Sequence, residues 1–300
     1  MEIAHRELGL TDFQLADCII SRKLVNTLPD TCPKERENLV FFAECRSDLS
    51  ENDIKRLAAN RFLQLQPGIE SLQDEVLKLM NKGRKTVQQL LFLRRCLQYG
   101  ISPVWNIIYA VPGEQDSWYE EMLILMKKIH YLQPPASVRP MLLARGSTFQ
   151  TKAAEYGVVY DLRIIEKACC PDDRDYQMAT ADYFVHTAKR LSEELEEKLL
   201  RQHKSWHEDF FKNKVSLRCT FNEDSVTILD MRDPSGQKSY ELTGLKMKIL
   251  KKALDICTMD RMAKELEIDI NAVEEAATEL EELGILYRKG DDLLCLACPT

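Results

Sequence analysis

Leu63-Gln-Leu-Gln-Pro-Gly-Ile-Glu-Ser-Leu72 joins a short apolar-alternating run to a Pro-Gly break, and then to an acidic and a hydroxyl side chain. Leu63 to Pro67 reads as a strand, because its apolar residues recur with a period of two. Pro67 removes a backbone donor and Gly68 frees the chain to turn. Leu72 to Asn81 then has helical spacing, and Gly83 stops it. Gly68, Glu70 and Ser71 therefore stand between the carboxyl end of a strand and the start of a helix. Free N–H groups and the positive end of the helix dipole favour a ligand at such a place. A plain turn with Glu70 and Ser71 as helix caps fits the same spacing.

The unit recurs on both sides. Leu39 to Ala43 is a buried strand, followed by a capping box in Ser50-Glu-Asn-Asp53 and a helix through Ile54, Leu57, Ala58 and Phe62. Downstream, Val87 to Leu97 is amphipathic and closes at Gly100. Val104-Trp-Asn-Ile-Ile-Tyr109 is a third strand, ended by Pro112-Gly113 with Glu114 behind it. Trp118 to Tyr131 is helical, Pro134-Pro135 breaks it, and Val138 to Ala144 is a fourth strand-like run. Alternating strands and helices at this spacing imply an α/β fold with a parallel sheet, closed as a barrel or open and doubly wound. In both, ligands bind beyond the carboxyl ends of the strands. The polar residues there are Glu44, Glu70, Ser71, Asn106, Glu114 and Arg145.

The 300 residues carry a net charge of −7 with both signs interspersed. That lacks the concentrated basic face of a general nucleic-acid binder, so no nucleic-acid partner is expected. No apolar run approaches the roughly 20 residues of a membrane helix, and the start of the chain has no signal-peptide core. Ten cysteines are then expected to be free thiols in a reducing, cytoplasmic setting, with Cys18, Cys96, Cys219 and Cys257 acting as small apolar residues.

Residues 146–180 read as irregular, with a loop at Cys169-Cys-Pro-Asp-Asp173. Ala181 to Lys212 reads as one long helix with a solvated acidic face. Leu217–Phe221 and Val226–Met231 read as paired strands. Helices over Leu245–Cys257, Met259–Leu266 and Ala272–Leu283 (capped by Asn271) precede a hairpin through Gly290, which describes a winged-helix-like α+β module. The expected division is a partial barrel over 1–165, a connecting region over 166–214 and the module over 215–300. The third helix carries five glutamates and no Lys or Arg. It would repel phosphate, so peptide or domain docking is expected there, including strand addition to the wing. His203 and His207 lie four apart on one helix face, without a third metal ligand in view.

Several segments together resemble the cobalamin-binding radical-SAM family of peptide natural-product (RiPP) maturation C-methyltransferases. They are Phe42–Leu49, Gln66–Leu72, Leu79-Met-Asn-Lys-Gly83, Trp105–Tyr109 with Pro112-Gly-Glu114, Leu132–Pro135, Ile228–Arg232 and Leu294–Ala297. The resemblance runs from about residue 11 to 298. It implies a radical-SAM (β/α)6-type barrel with S-adenosylmethionine across the strand ends. Glu44, Glu70 and Ser71 would then face its amino-acid and ribose parts. Ala110-Val-Pro-Gly113 would approach the adenine, and Arg139 or Arg145 would pair with its carboxylate.

The family also uses cobalamin and a [4Fe-4S] cluster held by C-x3-C-x2-C. No cysteines here have that spacing: Cys295 and Cys298 are the one C-x2-C pair, in the terminal hairpin, and read as structural. The family's cluster strand and cobalamin domain are expected upstream of these residues. No catalytic or metal-binding residue is assigned, and cleavage of S-adenosylmethionine by this chain alone is not expected. Three explanations stay open: one half of a split enzyme served by a cluster-bearing partner chain, a cluster-free relative that binds a precursor peptide or another partner, or a truncated frame. Glycine is common in the family where this chain has Ala110.

Overall fold

The structure is a computed structural model describing residues 2–34, 37–169, 173–188 and 191–300. Its first half runs α1 (Glu2–Leu8), β1 (Asp12–Gln14), α2 (Arg22–Thr27), β2 (Val40–Cys45), α3 (Glu51–Ala59), β3 (Phe62–Pro67), α4 (Asp74–Leu79), α5 (Thr86–Gln98), β4 (Ser102–Pro103), β5 (Asn106–Tyr109), α6 (Asp116–Lys128) and β6 (Ser137–Pro140). β1, β2, β3 and β4 form one parallel sheet in that order, and β5 pairs with β6, also in parallel. The pairing continues past the Pro-Gly break: Ile69 O accepts from Asn106 N and Glu70 O from Ile108 N. Pro67-Gly68 is thus a step between two partners, β4 and β5, and the chain turns away only after Glu70. Phe41, Ala43 and Cys45 of β2 and Leu65 of β3 point into the core, as a period of two requires. The Ser50–Asp53 capping box is formed, with Ser50 Oγ accepting from Asp53 N and Asp53 Oδ2 accepting from Ser50 N.

The middle of the chain departs from the sequence reading. The expected fourth strand splits. β6 joins the parallel pair, whereas β7 (Leu143–Ala144) belongs to a separate antiparallel sheet ordered β7-β9-β8 with β8 (Tyr160–Leu162) and β9 (Tyr183–His186). Residues 146–180 are not irregular: they also hold α7 (Thr148–Thr151), α8 (Ile164–Cys169) and α9 (Arg174–Thr180). The expected long helix is shorter, because Tyr183-Phe-Val-His186 alternates exposed and buried residues and pairs as β9. α10 (Glu193–Glu208) follows and ends in a π-helical turn over Asp209–Asn213. Residues 170–172 of the expected cysteine loop lie outside the described residues. The acidic face of α10 is largely solvated, although Glu196 accepts from Tyr109 Oη at 2.6 Å. Trp206 fixes the helix on the sheet: it is fully buried, donates from Nε1 to Leu132 O at 2.8 Å and meets Trp105 edge-on.

The last part comprises β10 (Leu217–Phe221), β11 (Ser225–Asp230), β12 (Lys238–Thr243), α11 (Gly244–Lys252), β13 (Cys257–Thr258), α12 (Met259–Leu266), α13 (Ile270–Glu282), β14 (Leu286–Lys289), β15 (Asp292–Cys295) and β16 (Cys298–Pro299). β12, beside β11, has no counterpart in the sequence reading, since its polar residues Lys238, Ser239 and Glu241 hide the apolar period. α11 stops at Lys252 rather than Cys257. Asp269, not Asn271, caps α13, accepting from Asn271 N at 2.9 Å. This part is bolted to α5 and α6. Buried Arg94 donates to Cys295 O and Leu254 O, and Tyr131 Oη to Leu296 O. Arg232, paired with Asp230 at 2.6 Å, donates to Lys128 O and Gly284 O. Among the described residues no helix is long and apolar enough to cross a membrane.

Candidate functional site

The carboxyl ends of β2 and β3 frame a cleft of about 360 Å³ lined by Glu44, Arg46, Gly68, Glu70, Lys82, Arg84 and Asn106, among others. Glu44 comes from β2, one residue before Cys45 turns inward. Cys45 is buried, and its thiol is pushed up to about 12 by burial and then by the negative charge of Asp48. Gly68 stands where a β-carbon would lie 3.8 Å from Lys82 Nζ, an ordinary contact, so the step itself is not sterically forced. Lys82 Nζ donates to Glu70 Oε1 at 3.1 Å. Asn106 Oδ1 accepts from Ser137 Oγ at 2.7 Å, which orients its side chain at the base of β5.

Glu44, Gly68, Glu70 and Asn106, four of the sequence candidates, therefore share one cleft. The others serve the backbone. Ser71 is fully buried and its Oγ accepts from Gln73 N at 3.2 Å, so it stabilises the turn into α4. Glu114 is buried behind the strand: its carboxylate accepts from Ala110 N at 2.7 Å, Val111 N at 2.9 Å and Tyr119 Oη at 2.6 Å. Burial raises its pKa above the ordinary carboxylate value against the pull of those three donors. Ala110 adopts a φ of +61°, and Gly113 one of +90°. The left-handed position explains why glycine suits residue 110; here the Glu114 clamp holds alanine in it. Pro112 is buried, and neither it nor Gly113 lines the cleft. Arg145 points elsewhere, donating to Ala179 O at 2.8 Å and pairing with Asp182 at 3.1 Å; Arg139 is exposed on β6.

Among the lining residues that the sequence reading did not single out as site candidates are Cys18, Arg46, Lys82 and Arg84. Cys18 is exposed rather than apolar packing, unlike Cys96, Cys219 and Cys257. Lys82 and Arg84 reach the cleft because Asn81 (φ +54°) and Gly83 (φ +60°) fold the chain back after α4. An Asn-Lys-Gly after a helix is the signal that would have found them. Asp48 anchors this side: Arg84 bonds it directly, with Arg46 at 3.4 Å and Arg22 at 3.6 Å. Three guanidinium groups on one carboxylate leave surplus positive charge beside the Glu44–Glu70 wall. A cleft lined by side chains of both signs suits a zwitterionic ligand.

Metal chemistry has no such frame here. Among the described residues no three His, Cys, Asp or Glu side chains are grouped to hold a metal ion. Cys295 and Cys298 are buried in the terminal strands. His203 and His207 both turn Nε2 to Pro135 O, at 2.8 and 2.9 Å, and hold the 134–135 turn against α10.

The sequence model of the Radical SAM superfamily matches residues 13–126, the segment that builds the cleft. No curated protein matches this sequence. Among solved structures, the chain is similar to the radical S-adenosylmethionine methyltransferase TsrM from Kitasatospora setae, solved with cobalamin and a [4Fe-4S] cluster bound. The identity is 14%, over 69% of this chain and 45% of that one, with a TM-score of 0.49. It is also similar to coproporphyrinogen III oxidase (HemN) from Escherichia coli, a radical SAM enzyme: 10% identity, 86% of this chain and 66% of that one, TM-score 0.35. The chain thus spans less than half the length of TsrM.

Proposed function

We propose that this chain is the cleft-bearing part of a radical-SAM protein of the peptide-maturation C-methyltransferase type, and that the cleft binds S-adenosylmethionine. The observation that carries the reading is the two-signed cleft at the strand ends, formed within the residues that match the superfamily. The ligand's α-ammonium and sulfonium charges are matched by Glu44 and Glu70, and its carboxylate by the arginines around Asp48. Asn106 offers a fixed amide for hydroxyl or ring nitrogen. This moves the carboxylate partner from Arg139 or Arg145 to the Arg46–Arg84 side.

The residues present do not fit an iron–sulfur cluster. Among the described residues no three cysteines converge, and the two that line the cleft, Cys18 in the loop after β1 and Cys45 at the end of β2, lie on separate segments, with the Cys45 thiol pushed up by burial. No step through a cluster is derived for this chain. On this reading it holds S-adenosylmethionine without cleaving it, and a cluster comes from residues outside these 300, in the same polypeptide or in a partner chain. The α11–α13 helices with the β13-β15-β14 sheet support the winged-helix-like reading of the last part.

Isothermal titration of this chain with S-adenosylmethionine tests the proposal. Saturable binding that weakens at least ten-fold in Glu70→Gln and Glu44→Gln, and is unmoved in Arg145→Ala, is the expected result. Absence of binding at millimolar ligand would overturn it. Mixing with a cluster-bearing radical-SAM chain and following methionine release tests the wider reading.

A further inference from the structure

Arg94 of α5 is buried to 2% exposure, and no carboxylate among the described residues pairs with it. Its terminal nitrogens donate to Cys295 O and Leu254 O, and its Nε has no partner. A guanidinium does not shed its proton, so its burial without a counter-charge favours the anionic form of whatever ionisable group stands beside it. The groups that feel this charge are the Tyr131 hydroxyl and the thiols of Cys219, Cys295 and Cys298. Tyr131 donates to Leu296 O, and burial pushes its pKa up. Cys298 turns its sulfur to Pro299 O at 3.7 Å, and burial raises it too. Cys219 of β10 and Cys295 of β15 are placed differently. Their sulfurs lie 3.6 and 3.7 Å from one carbonyl, Ala297 O, and the two side chains are hydrogen-bonded to each other. That bond and burial raise the Cys219 thiol, whereas the same bond and the Arg94 charge hold the Cys295 thiol below its ordinary value against burial. Cys219 is therefore the donor of the pair and Cys295 the acceptor.

We infer that Cys219 and Cys295 are a peroxide-oxidisable thiol pair, with Cys295 the attacking sulfur, Cys219 the resolving one and Arg94 a positioning residue that supplies the counter-charge. The thiolate is the nucleophile of thiol chemistry, and a neighbouring guanidinium favours it. The Cys295 thiolate attacks one oxygen of hydrogen peroxide. The S–O bond forms, the O–O bond breaks, and hydroxide leaves and takes up the proton that Cys295 released, giving water and a sulfenic acid. The Cys219 sulfur then attacks Cys295 Sγ. The S–S bond forms, the S–O bond breaks, and the hydroxyl leaves with the Cys219 proton as a second water. Two thiols are oxidised by two electrons in all, and one peroxide is reduced to two waters. A small dithiol reverses the step by exchange. Both sulfurs are fully buried, which selects an oxidant close to water in size and disfavours bulky disulfides. The bond ties the sheet β12-β11-β10-β16 to the sheet β13-β15-β14. None of the three residues lines the strand-end cleft, so the inference is independent of what the cleft binds.

The test uses the full chain, reduced, freed of reductant and treated with hydrogen peroxide for increasing times. Each sample is quenched with catalase, unfolded in iodoacetamide, digested and mapped by mass spectrometry. The expected product is a linked pair of peptides joining Cys219 to Cys295, with both residues lost to alkylation and both recovered by dithiothreitol. If both are still alkylated when the exposed Cys18 is fully oxidised, the inference fails. A bond from either residue to Cys298 would overturn the pairing. Arg94→Gln, in samples that keep the parent's circular dichroism, is expected to slow formation of the bond about ten-fold, and an unchanged rate would remove Arg94 from the site. A second pair of variants decides the matter even where Arg94→Gln does not fold. In Cys219→Ser the oxygen should stay on Cys295, trapped as a dimedone adduct on unfolding, whereas Cys295→Ser should leave Cys219 unmodified over the same times. Equal oxidation of the two remaining thiols would show that Cys295 is not the attacking sulfur and overturn the assignment.

Discussion

Glu114→Gln tests whether this residue is a ligand contact, as its place after a strand suggests, or a backbone clamp, as its geometry indicates. The carboxylate receives three buried hydrogen bonds, two from the amides that carry the left-handed turn at Ala110. The glutamine amide keeps one acceptor oxygen and turns an NH2 toward a second donor. One buried donor loses its partner, costing about 1–3 kcal/mol, and the remaining bonds lose their charge assistance. The left-handed alanine, worth about 1–2 kcal/mol of strain, is then held less firmly. A total loss of about 2–4 kcal/mol is expected. Urea unfolding followed by tryptophan fluorescence is the assay, because Trp105 and Trp206 are buried against each other. Glu120→Gln, on the exposed face of α6, is the control and should move stability by less than about 0.5 kcal/mol. S-adenosylmethionine affinity of the folded variant should stay within two-fold of the parent. An unchanged unfolding midpoint, or affinity lost at full stability, would refute the clamp.

Three further outcomes follow from the same contacts. Trp206→Ala should cost about 3–5 kcal/mol by leaving a cavity under α10 and an unpaired Leu132 carbonyl, measurable in the same unfolding series. Asp230 is burdened by burial, yet the Arg232 bonds outweigh it and its pKa lies below the usual aspartate value. Its contribution is therefore present above the ordinary aspartate pKa and lost as pH falls through the lowered one. Stability should decline on acidification, and Asp230→Asn should flatten that slope while lowering stability at neutral pH. Lys82→Gln frees the Glu70 carboxylate. It should tighten S-adenosylmethionine more than S-adenosylhomocysteine, which lacks the sulfonium charge; equal effects in paired titrations would show that Glu70 does not face that charge.

The parallel strand–helix repeat was legible because it is written in local chemistry: a period of two in Leu63–Pro67, a capping box at Ser50, and glycine stops at Gly83 and Gly100. Each depends on residues within about four positions of one another. Residues 137–212 were misread for the opposite reason. β7 and β9 are short, and their pairing crosses about 40 residues, so nothing local distinguishes Tyr183–His186 from the helix that follows. β12 was missed because an edge strand need not be apolar.

The candidate site divides in the same way. Sequence by itself placed Glu44, Gly68 and Glu70 at strand ends, since those follow from where the apolar period stops; Asn106, expected beyond a carboxyl end, instead opens β5 and reaches the cleft because β5 pairs with residues 69–70 past the Pro-Gly step. It could not decide which way a side chain at such an end turns. Ser71 and Glu114 stand in equivalent positions to Glu70, but buried amides claim them, because an unpaired buried N–H costs more than an exposed ligand contact returns. Lys82 and Arg84 enter the cleft only through the left-handed turn at Asn81, and Arg46 through its place just past the end of β2. The sequence determined that there is a strand-end face; tertiary packing decided which residues are free to serve it.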